Sequence, residues 1–141
     1  MKTLAIIFAV TFVAAATAVD ASEAPCPERY ATSKELEACL NDDSCALKKK
    51  FPAEMKRRDW ALKAAKSFIL ETLGREKNCV LMEKLVEDFA ASTLNCHPDE
   101  AFNSVAAMLY RMSKREKTIS ASSRRDRPGT SYTLVDKGTC R

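Results

Sequence analysis

Six cysteines are the side chains in this sequence best suited to covalent or metal chemistry: Cys26, Cys39, Cys45, Cys79, Cys96 and Cys140. Paired thiols form disulfide bonds in oxidising compartments, whereas thiolates combined with histidines bind zinc. No two of these cysteines have the short spacing of a zinc knuckle, and the chain has only one histidine, His97. We therefore expect the six cysteines to form disulfides, in one of the fifteen connectivities that spacing alone cannot distinguish.

The remaining candidates for chemistry predict no catalytic residue, no metal site and no cofactor. His97 has no nucleophile and orienting carboxylate arranged around it, so a capping or surface position beside Cys96 is the favoured interpretation. Residues 41–44 offer polar oxygens, but the glycine and glutamate that an EF-hand calcium loop requires are missing. We interpret this segment as a turn and expect that the protein is not an enzyme.

The first 18 residues have the features of a secretory signal peptide. Lys2 supplies a positive charge, residues 4–16 are almost entirely apolar, and Ala16 and Ala18 place small residues where a signal peptidase cleaves. The apolar run is shorter than the ~20 residues that a membrane-spanning helix needs. The sequence thus predicts a secreted, extracellular protein that does not span the membrane, with cleavage after Ala18 or, alternatively, Ala21.

Apolar residues at three- and four-residue spacing predict a helical domain at residues 19–112, in which residues 19–31 form a non-periodic lead-in to the first helix. Thr32 and Glu35 form a capping box, and Pro52 and Gly74 have the types expected near the two ends of a long helix. The predicted helices span about residues 32–40, 52–74, 76–93 and 98–112. No stretch shows a sustained two-residue alternation, so the predicted fold class is all-α, a small disulfide-stapled helical bundle.

Residues 113–141 differ from the rest, with eight basic and three acidic residues among Ser, Thr, Pro and Gly. This composition predicts a largely flexible basic tail that is tethered by Cys140. The pairs Lys114–Arg115 and Arg124–Arg125 are candidate processing sites in it. Because the excess positive charge is confined to the tail, we expect no nucleic-acid partner and only weak attraction to anionic surfaces.

Two further basic clusters, Lys48–Lys50 and Lys56–Arg58, lie on either side of Phe51 and Pro52. Such clusters could bind heparin-like or phospholipid surfaces. Glu54 and Asp59 are interleaved with them. We therefore interpret the clusters as the solvated end of a helix.

The cysteine framework resembles that of the stanniocalcins, a family of secreted helical polypeptide hormones. Residues 39–45, Cys-Leu-Asn-Asp-Asp-Ser-Cys, resemble the family's Cys-Leu-(four polar)-Cys turn, and Cys26 precedes them by 13 residues, as a similar cysteine does in the family. Residues 66–73, Lys-Ser-Phe-Ile-Leu-Glu-Thr-Leu, resemble the family's Lys-Ala-Phe-Val-Lys-Glu-Ser-Leu helix, which also precedes a cysteine. The resemblance covers about residues 26–96, since Cys96 follows Cys79 at close to the family's interval.

This resemblance implies a specific disulfide connectivity. It pairs Cys26 with Cys39, Cys45 with Cys96, and Cys79 with a distal cysteine, here Cys140. The chain lacks the glycosylation site and the additional cysteine through which family members dimerise. We therefore expect a monomer, and a role in calcium or phosphate regulation does not follow from the resemblance.

These features favour a secreted, non-enzymatic polypeptide that acts by binding, as a hormone-like ligand of a cell-surface receptor or another extracellular protein. A venom or defence polypeptide would have the same leader, disulfides and cationic tail, and is the first alternative. An extracellular carrier of a small hydrophobic ligand is the second, and its cavity would lie among four aromatic residues: Trp60, Phe68, Phe89 and Phe102.

Overall fold

The computed structural model describes residues 23–40, 47–123, 125 and 128–140. These residues contain five α-helices: α1 (Ser33–Leu40), α2 (Leu47–Lys50), α3 (Pro52–Arg75), α4 (Met82–Ser92) and α5 (Glu100–Tyr110). A π-helical segment, Arg111–Glu116, continues α5. Three antiparallel strands form a sheet in the order β1-β3-β2: β1 (Val80–Leu81), β2 (Ile119–Ser123) and β3 (Thr130–Leu134). The predicted signal peptide, its cleavage site at Ala18 and the turn at residues 41–44 lie outside the described residues.

The predicted capping box at the start of α1 is confirmed. The backbone N–H of Thr32 donates to a carboxylate oxygen of Glu35 at 2.8 Å, and the Glu35 N–H donates to the Thr32 hydroxyl at 3.3 Å. The hydrogen bond from the Thr32 backbone lowers the pKa of Glu35. Arg29 and Lys50 approach the same carboxylate at 3.0 and 3.4 Å. Glu35 therefore stabilises the start of α1 and also connects α1 to the segments that precede and follow it.

The core lies between α3, α4 and α5, as the apolar spacing predicts. Fully buried residues from each helix meet there: Ala65, Ile69 and Leu73 from α3, Leu85 and Phe89 from α4, and Val105, Met108 and Leu109 from α5. Phe68 and Phe89 pack with their ring centroids 5.4 Å apart. Phe102, one of the four aromatic residues of the predicted carrier cavity, is not part of this core: its side chain is 53% exposed because it lies on the outer face of α5.

The all-α prediction is confirmed only in part, because the structure contains a small three-stranded sheet in addition to the helices. Helix α4 begins at Met82 and not near Glu76, because Val80 and Leu81 are extended and pair with Tyr132 and Ser131 of β3. The full length of β2 pairs with the other edge of β3, from Ile119 opposite Leu134 to Ser123 opposite Thr130. The fold is therefore a helical bundle with a small antiparallel sheet attached.

The prediction of a largely flexible tail is wrong for the strands and the turn after β3. Ile119 is 2% exposed and belongs to the same core as the helices, while Tyr132 and Leu134 pack against it. Beyond β3, the Lys137 ammonium group donates to the carbonyl oxygens of Leu73 and Gly74 at 2.8 and 2.7 Å. A lysine at this position satisfies carbonyls that the end of α3 leaves without helical partners. The tail is thereby fixed to the end of α3.

The disulfides partly follow the pairing that the resemblance implies. Cys79 is joined to Cys140, as implied. Cys26 is joined to Cys96, so the implied pairs of Cys26 with Cys39 and of Cys45 with Cys96 are wrong. The reason is packing: the N-terminal segment runs alongside α3 to the loop before α5, which brings Cys26 to Cys96. Cys39 is also disulfide-bonded, and Cys45 lies outside the described residues.

No helix in the described part of the chain is both long enough and apolar enough to span a membrane.

The connectivity predicts the peptides that remain linked after trypsin digestion without reduction. Mass spectrometry should find residues 78–84 joined to residues 138–141, through Cys79 and Cys140. It should also find the peptide that ends at Arg29 joined to residues 85–111, through Cys26 and Cys96. A peptide in which Cys26 is linked to Cys39 would contradict the structure.

The buried position of Ile119 predicts that the tail contributes to global stability. Ile119→Ala should lower the free energy of unfolding by about 2–5 kcal/mol, because it leaves a cavity in the shared core. Val135→Ala is the matched control, since Val135 is 51% exposed and its truncation should cost less than about 0.5 kcal/mol. Equal urea-unfolding midpoints for the two variants would show that the tail does not pack on the bundle.

Candidate functional site

The buried side chain of Arg57 positions the candidate site. Its side chain is 1% exposed, and its Nη2 and Nε atoms donate to the carboxylate of Glu100 at 2.6 and 3.0 Å. Nη1 donates to the Ala24 carbonyl at 2.6 Å and to Glu23 at 3.2 Å, and Nη2 also donates to the Leu94 carbonyl. The hydrogen bond to Glu100 raises the pKa of Arg57 in opposition to the effect of burial. One guanidinium thus holds together the N-terminal segment, the loop before α5 and α5 itself.

A second buried charge, Glu54, completes the attachment of the N-terminal segment. Its carboxylate accepts the backbone N–H of Ala31 at 2.7 Å and is paired with Arg58 at 2.6 Å. The disulfide between Cys26 and Cys96 closes the same region covalently. The segment before α1 is therefore held against α3 by hydrogen bonds to the buried charges of Arg57 and Glu54, and it is joined to the loop before α5 by one disulfide.

These contacts form one wall of a cleft of about 610 Å³ between the N-terminal segment, α1, α3 and α5, which we name the Tyr30 cleft. Its apolar lining comes from Ala31, Leu36, Ala61, Leu62 and Ala107. Its polar lining comes from Tyr30, Thr32, Ser33, Arg58, His97, Asp99, Glu100, Asn103 and Ser104. A concave apolar surface with several hydrogen-bonding groups is typical of sites that bind a ligand or a partner side chain.

Tyr30 and His97 form the aromatic part of the cleft. Their ring centroids are 5.4 Å apart, and the Tyr30 hydroxyl donates to Glu100 at 3.4 Å. Burial raises the pKa of Tyr30, and the negative charge of Glu100 raises it further. His97 Nδ1 accepts the backbone N–H of Asp99 at 3.3 Å, and its exposed side chain agrees with the surface position, rather than the capping position, that was predicted for it beside Cys96. Tyr30 consequently presents a neutral hydroxyl in the cleft.

The arrangement of charges suits binding more than proton transfer. The Glu100 carboxylate is occupied by Arg57 and Tyr30, and Arg58 is occupied by Glu54. The side chain of Asn103 is exposed at the rim, where it can donate to and accept from a partner. Among the residues that the structure describes, no three His, Cys, Asp or Glu side chains are grouped to hold a metal ion.

The structure also shows where the residues of the predicted basic cluster and of the candidate processing sites lie. The predicted basic cluster at Lys56–Arg58 is split, since Arg57 points into the interior. Of the candidate processing sites, Lys114 and Arg115 are exposed but lie within the π-helical segment, Arg125 is exposed between β2 and β3, and Arg124 lies outside the described residues.

The four aromatic residues proposed for a carrier cavity do not lie together around one cavity. Phe68 and Phe89 are packed against each other, and Phe102 is on the surface. Trp60 packs under Arg57, whose guanidinium carbon is 4.3 Å from the centroid of the Trp60 ring. None of the four lines the Tyr30 cleft. The carrier hypothesis therefore loses the cavity on which it was based.

Sequence reasoning missed Arg57, Glu100 and Tyr30 as residues of a common site. One signal could have indicated Arg57, because it precedes Ala61 by four residues and Ala65 by eight, so all three lie on one face of α3. A charge on the apolar face of a helix requires a buried partner. The identity of that partner depends on how α5 packs, which local spacing does not reveal.

A scan against protein-family models found no match, and searches of curated proteins and of solved structures found no significant match. The resemblance to the stanniocalcins stays a prediction.

The Arg57 contacts predict a large and specific loss of stability. Arg57→Met should lower the free energy of unfolding by about 3–5 kcal/mol, because Glu100 would remain partly buried without its cation. The double variant Arg57→Met with Glu100→Gln should recover part of this loss, since no unpaired charge remains.

Lys63→Met is the control for this prediction. It removes a cation from α3 whose side chain is 78% exposed, and should change stability by less than about 0.5 kcal/mol. A loss for Arg57→Met as small as that of the control would contradict the proposed role of Arg57.

Proposed function

We propose that this chain is a secreted, non-enzymatic polypeptide that acts as a hormone-like ligand by binding an extracellular protein. The observation that supports the proposal most directly is the construction of the Tyr30 cleft. Its walls are fixed by the Arg57 contacts and by the disulfide between Cys26 and Cys96, and its floor and rim offer apolar and hydrogen-bonding groups. A rigid surface of this kind loses little conformational entropy on binding.

The cleft suits the insertion of part of a partner protein. Leu36 and Leu62 provide partly buried apolar contacts, while Tyr30, Asn103 and Asp99 surround them with polar groups. Interfaces commonly combine an apolar centre with a polar rim in this way. The disulfides Cys26–Cys96 and Cys79–Cys140 support an oxidising, extracellular setting for this interaction. We expect the protein to act as a monomer.

A venom or defence polypeptide remains the alternative, because it would use the same scaffold. The tissue of expression separates the two: a transcript confined to venom glands or to immune tissue would contradict the hormone-like role. Expression in an endocrine or neurosecretory tissue would support it.

The cleft can be tested by saturation binding of the labelled, oxidised protein to cells of the source organism. Asn103→Arg places a long charged side chain at the rim of the Tyr30 cleft, where it would obstruct a partner. We expect this variant to lose at least tenfold in competition against the labelled wild-type protein, which corresponds to about 1.4 kcal/mol.

Ser67→Arg is the matched control, because it adds the same side chain at an exposed position of α3 that does not line the Tyr30 cleft. It should compete like the wild-type protein. Equal competition by both variants would show that the partner does not use the Tyr30 cleft. An absence of saturable binding to any tissue would contradict the proposed function as a whole.

A further inference from the structure

A second cleft, of about 780 Å³, lies against one face of the sheet and beside the disulfide between Cys79 and Cys140. We name it the sheet cleft. Ser131 and Thr133 of β3 and Ser122 of β2 line it from the sheet. These three side chains lie on the same face of the sheet, because Ser122 is paired with Ser131 and alternate residues of β3 face the same side. The disulfide fixes the opposite wall, which includes Asn78 and Thr139.

The lining of the sheet cleft is rich in hydrogen-bond donors. It contains the hydroxyls of Ser122, Ser131, Thr133 and Thr139, the amide of Asn78, and the ammonium groups of Lys77 and Lys137. None of the described residues that line it is Asp or Glu. A cleft with this combination of groups is complementary to an anionic ligand that also carries hydroxyl groups.

The two lysines have different roles in this cleft. Lys137 donates to the carbonyl oxygens of Leu73, Gly74 and Glu76 at 2.8, 2.7 and 2.8 Å, and so offsets the negative end of the α3 dipole. Lys77 is exposed and has no ion pair among the described residues. Lys77 is therefore the cation of the cleft that is available to a ligand.

A negative charge next to the cleft opposes the binding of an anion. A Cβ added to Gly129, which lines the cleft, would lie 3.2 Å from both carboxylate oxygens of Glu83. Glu83 therefore places a negative charge at the edge of the sheet cleft, where it would repel an anion.

We propose that the sheet cleft binds a sulfated polysaccharide chain of the extracellular matrix. A polysaccharide chain can enter a concave cleft, and its sulfate and hydroxyl groups can bind Lys77 and the hydroxyl lining. A phospholipid surface fits less well, because it is too broad to enter a cleft. The sheet cleft is a different surface from the Tyr30 cleft, and binding a polysaccharide there would limit how far the secreted protein diffuses.

The proposal can be tested by calorimetric titration of the full, oxidised chain with a size-defined heparin oligosaccharide. Lys77→Gln should weaken binding about two- to fivefold, as expected for one solvent-exposed ion pair, and should reduce the salt dependence by about one counterion. Ser131→Ala should weaken binding without changing the salt dependence. Glu83→Gln should strengthen binding, since it removes the repelling carboxylate beside Gly129.

Lys63→Gln is the control for overall charge, because Lys63 lies on an exposed position of α3 that does not line the sheet cleft. The proposal predicts that it changes binding less than Lys77→Gln does, and that an unsulfated chain of equal length binds weakly. Equal effects of Lys63→Gln and Lys77→Gln would overturn the proposal, since binding would then depend only on net charge. Binding to phosphatidylserine vesicles but not to heparin would also overturn it. The Asn103→Arg experiment tests binding at the Tyr30 cleft. The proposed function and the proposed polysaccharide site can therefore fail independently of each other.

Discussion

A buried guanidinium must have all five of its N–H groups bonded to acceptors, because each unpaired donor in the interior costs free energy. Arg57 meets this requirement with acceptors from three separate segments: Glu23 and Ala24 before α1, Leu94 before α5, and Glu100 at the start of α5. The position of the N-terminal segment therefore depends on that of α5, and both depend on α3. The disulfide between Cys26 and Cys96 joins two of the same segments, so ionic and covalent contacts act on one arrangement.

The local features of the fold could be predicted from the sequence, whereas the long-range contacts could not. Pro52 indicated where α3 begins, and Thr32 with Glu35 indicated the start of α1, because these signals depend on neighbouring residues only. Strand β2 escaped prediction because Ile119 and Ala121 are its only apolar residues, and because it pairs with a second strand, β3, that is also mainly polar. The family resemblance predicts that Cys26 pairs with Cys39. In the structure, packing joins Cys26 to Cys96.

The two clefts share a design in which a disulfide lies beside a surface lined with hydrogen-bonding groups. The Tyr30 cleft has an apolar floor and is next to the Cys26–Cys96 disulfide. The sheet cleft contains two lysines and, among the described residues that line it, no Asp or Glu, and it is next to the Cys79–Cys140 disulfide. The proposed partners follow from this difference in chemistry: a protein surface for the first cleft and a sulfated polysaccharide for the second. Lys137, a basic residue of the segment 113–141, therefore has a fixed position in the sheet cleft, which it would not have in a flexible tail.

Hydrogen exchange of arginine side chains tests most directly whether Arg57 is buried and fully hydrogen-bonded. In a ¹⁵N-edited NMR spectrum of the oxidised protein, the Nε–H proton of Arg57 should exchange with water much more slowly than those of Arg29 and Arg75, whose side chains are 67% and 69% exposed. Arg57→Met would assign the protected signal by removing it. Exchange of the Arg57 proton as fast as that of the two exposed arginines would contradict the account.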